Sequence, residues 1–133
     1  MSNFVYNDGG REASGRKGTA GDCAARAMAI ALDLDYDDCY KALAQANKNS
    51  GRPKSVRSGI MRGDFNVVLV EHGWVWHQAP KFHGRKARCS DMPAGRVIAR
   101  QARHFVAVID GVPQDIFDSS DKMVYGYWSR VAE

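Results

Sequence analysis

An α+β fold is predicted: helices in the first half of the chain, one of them buried and central, pack on an antiparallel β-sheet formed by the second half. Three observations carry this. Residues 22–33 are almost wholly apolar or small, with Met28, Ile30 and Leu32 set among alanines and only Arg26 interrupting, as in a helix enclosed on most sides. Tyr36, Cys39, Tyr40, Leu43 and Ala44 fall at i, i+3, i+4, i+7 and i+8, a single stripe on a second helix. From Trp74 onward, short runs of β-branched and aromatic residues replace the helical period, and Asp110-Gly111 between two of them is a hairpin signal.

The elements follow in order. Residues 1–21, with the run Asn7-Asp8-Gly9-Gly10-Arg11, are polar and glycine-rich and read as an irregular arm. The first helix starts at Asp22-Cys23. The second, over residues 36–47, has Asp35 to cap its start and Gly51 just past its end. Residues 48–59 are polar and basic, a loop. A third helix over 64–72 turns Phe65, Val68 and Leu69 inward and stops at Gly73, although its Val-Val-Leu-Val run also suits a strand. Strands are expected at 74–76, 96–100, 104–110, 113–117 and 122–128. A basic loop with Lys81, His83, Arg85, Lys86 and Arg88 separates the first two.

Length and composition bound the function. With 133 residues, 44% apolar and 26% charged, the chain reads as one globular domain over 1–133, with no linker or repeat. Such a domain buries roughly two-thirds of its unfolded surface and needs no metal or disulfide for a core. Its unbroken apolar runs, such as residues 67–70, are only a few residues long, far too short to span a membrane. Residues 1–21 lack the apolar segment of an export signal, so a cytoplasmic location is expected. Three scattered cysteines agree with a reducing compartment. The net charge of +4 suits an acidic partner without demanding one.

Cys23 stands where the first helix begins, facing the positive end of the helix dipole and backbone N–H groups without intrahelical acceptors, which favours thiolate. His104 opens the strand His104-Phe105-Val106-Ala107-Val108-Ile109, where its ring can meet the end of a buried helix. Asp115 and Asp118 follow the hairpin, and either carboxylate could orient the imidazole. A two-residue Asp110-Gly111 turn pairs His104 with Phe117 and brings Asp115 to its face; a turn longer by one residue brings Asp118 instead.

A Cys starting a helix in Gly-Asp-Cys-Ala-Ala-Arg-Ala, then a distant His opening a strand, then an Asp after a hairpin, resembles the papain-like cysteine peptidase superfamily. Residues 21–32, 58–76 and 92–128 also look like small bacterial and phage proteins of that layout, in which His-x-x-Ala-Val-Ile-Asp-Gly precedes Asp-Thr-Trp-Asp. The present chain has His104-Phe105-Val106-Ala107-Val108-Ile109-Asp110-Gly111 and Asp115-Ile116-Phe117-Asp118. The resemblance implies a papain-like fold and a cysteine hydrolase of peptidase, isopeptidase or amidase type. Cys23 is then the nucleophile and His104 the base and acid. Asp118 is the preferred third member, because Phe117-Asp118-Ser119 matches the family's strand-end run, with Asp115 close behind. Papain has a Gln six residues before its Cys, where Lys17 stands here. One oxyanion donor is the Cys23 N–H, and Thr19, Lys17 or Asn7 is left to supply the second. The expected partner is a protein or peptide substrate, acidic by charge complementarity. The alternative is an inactive shell that docks an acidic protein or nucleic acid.

Other residues read as structural. Cys39 lies in the second helix's stripe. Cys89, beside Arg88 in the basic loop, reads as a loop residue whose thiol could be exposed and acidified. His72, His77, His83 and His104 form no ligand spacing with the cysteines, so no metal or cofactor is expected. Trp74, Trp76, Tyr125, Tyr127 and Trp128 suit core and rim packing rather than a nucleic-acid platform.

Overall fold

The computed structural model describes residues 4–15, 22–56 and 59–131. It is α+β, with helices α1 (Cys23–Leu32), α2 (Tyr36–Asn49) and α3 (Arg62–Glu71). The strands are β1 (Val5–Tyr6), β2 (Trp74–Gln78), β3 (Arg96–Gln101), β4 (His104–Ile109), β5 (Val112–Asp115) and β6 (Gly126–Arg130). They form one sheet in the order β1-β5-β4-β3-β6-β2.

Alanine-rich α1 packs against β4, β3 and α2, with every residue from Ala24 to Ala31 buried. Small side chains let its backbone approach the sheet closely, and alanine has the highest intrinsic helix propensity. Asp33 stops it in a left-handed turn, φ 55°. The carboxylate of Asp35 accepts the Asp38 N–H and caps α2 as expected. In α3 the helical period prevails over the β-branched run: Phe65, Val68 and Leu69 face in while Val67 and Val70 face solvent. Phe65 fixes that choice by packing edge-on against Phe105 and Trp128, ring centroids 4.7 and 5.2 Å away.

The Asp110-Gly111 turn has φ of 49° and 80°, the two left-handed residues of a tight hairpin. It pairs Ile109 with Val112 and Ala107 with Gln114, the two-residue register. One face of the sheet, with Ile98, Phe105, Ala107 and Trp128, packs on the helices. The other, with Val97, Ala99, Val106 and Val108, is covered by Ala87, Cys89, Met92 and Val124. Cys89 is therefore fully buried rather than an exposed loop thiol, and burial pushes it up to about 12.

Two expectations need correction. The N-terminal arm is not merely irregular: Val5 and Tyr6 pair in parallel with Gln114 and Asp115, so the sheet is mixed rather than antiparallel throughout. Two residues carry no detectable strand period, and only their neighbour β5 makes them a strand. The last strand starts at Gly126 instead of residue 122, because the chain first turns at Ser119–Lys122 and reaches the sheet beneath Trp76. There a Cβ on Gly126 would lie 2.2 Å from the Trp76 ring and 2.7 Å from the His77 carbonyl oxygen. Gly126→Ala is accordingly expected to lower stability by about 1–3 kcal/mol through overpacking. A urea midpoint equal to wild type at unchanged slope would contradict it.

Candidate active site

Cys23 occupies the first turn of α1, half-buried, and its thiol lines the same cleft as His104. His104, at the start of β4, is 8% exposed, and its Nε2 lies 2.6 Å from Asp115 Oδ2. With Nε2 engaged, Nδ1 is the nitrogen left for the thiol. Phe117 lies over the imidazole, ring centroids 5.0 Å apart. Burial lowers the His104 pKa, but the hydrogen bond to Asp115 and the interaction with the neighbouring Cys23 thiol outweigh it and raise the group from 6.5 to about 9.

The hairpin register decides between the two carboxylates. With Ala107 opposite Gln114, extension of the pairing places His104 against Phe117, and Asp115 comes to the imidazole. The carboxylate that meets the imidazole is thus Asp115 and not the preferred Asp118. Asp118 is exposed, its carboxylate accepts from Ser120, and that hydrogen bond helps hold it below the usual carboxylate range.

The carboxylate of Asp115 is itself anchored. Oδ1 accepts from the Ile116 N–H at 2.8 Å and from Arg26 Nη1 at 2.9 Å. The same guanidinium donates through Nε to Asp22 Oδ1 at 3.3 Å. The second Asp22 oxygen takes the Tyr36 hydroxyl and Arg11 Nε. Asp22, Arg26 and Asp115 are all buried, so each charge depends on the next. The sequence carried a signal for this: Arg26 is the one charged side chain inside an apolar helix, and a buried arginine requires carboxylate partners. Because Asp22 is occupied in this way, its side chain does not cap α1. The first-turn N–H groups, that of Cys23 included, are left without an intrahelical acceptor.

A cleft of about 890 Å³ opens at Cys23 and His104. One wall is the loop between α2 and α3, which Asn47 holds by donating to the carbonyls of Ser55 and Gly59 at 2.7 and 3.2 Å. Arg62, Arg100, Arg103, Phe105 and Phe117 form much of the remainder. Of the oxyanion candidates, Lys17 and Thr19 lie outside the described residues. Asn7 is not among the residues that line the cleft; its Oδ1 accepts the Gly9 N–H and its backbone N–H goes to the Asp115 carbonyl. Cys39 is buried in the α2 core and pushed up to about 12, chiefly by desolvation.

Elsewhere, the basic loop is less cationic than its sequence suggests, since Arg85 stacks on Phe82 and makes a two-pronged ion pair with Asp91. Among the described residues, no three His, Cys, Asp or Glu side chains gather as metal ligands, and no helix is long and apolar enough to cross a membrane. Compared with protein-family models, curated proteins and solved structures, the chain shows no significant match to any.

Proposed function

We propose that the chain is a cysteine hydrolase on a papain-like plan, cleaving an amide or isopeptide bond through an acyl-enzyme. The observation that carries this is a single imidazole hydrogen-bonded to a buried, anchored carboxylate and sharing one cleft with a half-buried thiol at a helix start. Cys23 Sγ gives its proton to His104 and attacks the carbonyl carbon. The Cys23 N–H, which has no intrahelical acceptor, serves as one donor to the oxyanion. As the C–N bond breaks, His104 returns the proton to the leaving amine. Water, deprotonated by His104, then attacks the thioester, releases the acid and restores the thiol. An amine in place of water would make the same chemistry an acyl transfer. Free thiols suit a reducing compartment such as the cytoplasm.

The test is the iodoacetamide alkylation rate of each cysteine, read by peptide mass spectrometry. Cys23 is expected to react well ahead of Cys39 and Cys89, whose thiols burial holds near 12. His104→Ala is expected to slow Cys23 at least about tenfold at about pH 6, where a free thiol of pKa about 8.5 is almost wholly protonated. Equal Cys23 rates in the two proteins would refute the reading and leave an inert shell.

A further inference from the structure

Among the described residues, the walls of the cleft at Cys23 carry five arginines and not one Asp or Glu. Two are already spoken for: Arg26 by Asp22 and Asp115, and Arg52 by Asp64. Arg62, Arg100 and Arg103 have no carboxylate partner among the described residues. Like charges left unbalanced in a concave, partly apolar groove focus a positive potential at its floor, which here is the thiol.

Two of these side chains are also oriented. The Arg62 guanidinium lies 4.9 Å from the Trp76 ring centroid, and that of Arg100 lies 4.9 Å from the Phe105 centroid. A guanidinium restrained by a ring contact, with no carboxylate of its own, loses less freedom when it takes a carboxylate in two parallel bonds. Arg103 adjoins His104 in the β3–β4 turn, with φ 53°, and lines the cleft beside it.

We propose that this cleft takes an acidic polypeptide, with Asp or Glu side chains flanking the bond offered to Cys23, and that Arg62, Arg100 and Arg103 read that charge. The substrate class rests on the Cys23–His104–Asp115 reading; the anion preference rests on the arginines alone. A nucleic acid fits less well. Single strands bind by stacking successive bases on several bare aromatic faces, whereas of the two phenyl rings among the described lining residues Phe105 is buried and only Phe117 is exposed.

The test uses two chloroacetyl peptides of matched sequence, one with Glu and one with Lys beside the reactive group, and reads Cys23 labelling by mass spectrometry. Neutral iodoacetamide, run on wild type and His104→Ala, reports the triad separately. The Glu peptide is expected to label at least about fivefold faster than the Lys peptide, and the ratio to fall toward one at about 0.5 M salt. Arg62→Gln with Arg100→Gln is expected to collapse the ratio. Lys86→Gln, which removes a charge outside the cleft, is expected to keep it. A ratio near one, or equal losses in the cleft and Lys86 variants, overturns the charge reading even if His104→Ala still silences Cys23. A lasting ratio with Cys23 indifferent to His104 upholds the anion preference and removes the hydrolase. Protection of Cys23 by oligothymidylate but not by oligoglutamate also overturns the proposal, in favour of nucleic acid.

Discussion

Arg26→Met is expected to lower the unfolding free energy by about 3–5 kcal/mol, the usual cost of leaving buried charges without their partner. The guanidinium is 3% exposed and lies between two carboxylates that are equally buried. Methionine fills much of the volume, so lost packing contributes little and the loss is electrostatic. Asp115 then keeps only His104 and the Ile116 N–H, and Asp22 only Tyr36 and Arg11. Against a typical total of about 5–15 kcal/mol, the deficit is a large share. Arg26→Lys is expected to fall between the two: it restores a charge, but one ammonium does not span both carboxylates as Nε and Nη1 do. Replacing Asp22 by Asn in the Arg26→Met background should recover part of the loss, since it removes one of the stranded charges. Urea midpoints for the four proteins decide the matter. An Arg26→Met midpoint equal to wild type would mean that the network is solvated and does not fix Asp115.

That network marks the limit of what was legible in the sequence. The helix bearing Cys23 was legible because its composition is apolar almost all round, and the hairpin because Asp110-Gly111 supplies both left-handed residues. His104 followed from its place at a strand opening. The choice between Asp115 and Asp118 did not follow, because two carboxylates three residues apart exchange faces with a one-residue change of register. The turn dihedrals settled it, while the likeness of Phe117-Asp118-Ser119 to a strand-end run pointed the other way. The role of Asp22 was hidden for a different reason. An acid before a helix normally reads as a cap, and only the tertiary approach of Arg11, Arg26 and Tyr36 draws its carboxylate away. β1 was invisible because two residues have no period; its pairing with Asp115 and the Asn7 N–H on the Asp115 carbonyl place the arm beside the carboxylate bonded to His104.

Asp115→Asn is expected to slow acylation of Cys23 by an activated ester by about 10²–10⁴-fold, while Asp118→Asn leaves it unchanged. The reason is the orientation the amide must take. Oδ1 of Asp115 receives two donors, the Ile116 N–H and Arg26 Nη1, whereas Oδ2 faces only His104 Nε2. An asparagine carbonyl will therefore occupy the Oδ1 place and turn its NH₂ group toward the ring. Nε2 must then accept, which puts the ring proton on Nδ1, facing the thiol, so that the base no longer has a lone pair to take the sulfur's proton. Stability responds in a linked way. In the wild type His104 is raised from 6.5 to about 9, so its contribution is fully present below 6.5 and is lost as pH rises through about 9. With the carboxylate gone, burial lowers the pKa with less to oppose it, and the decline in stability between those two values should flatten. Acylation rates with a urea midpoint series across that interval test both halves. If Asp118→Asn proved the damaging change, or if Asp115→Asn kept both the rate and the slope, Asp115 would be an anchor for Arg26 and not the residue that orients His104.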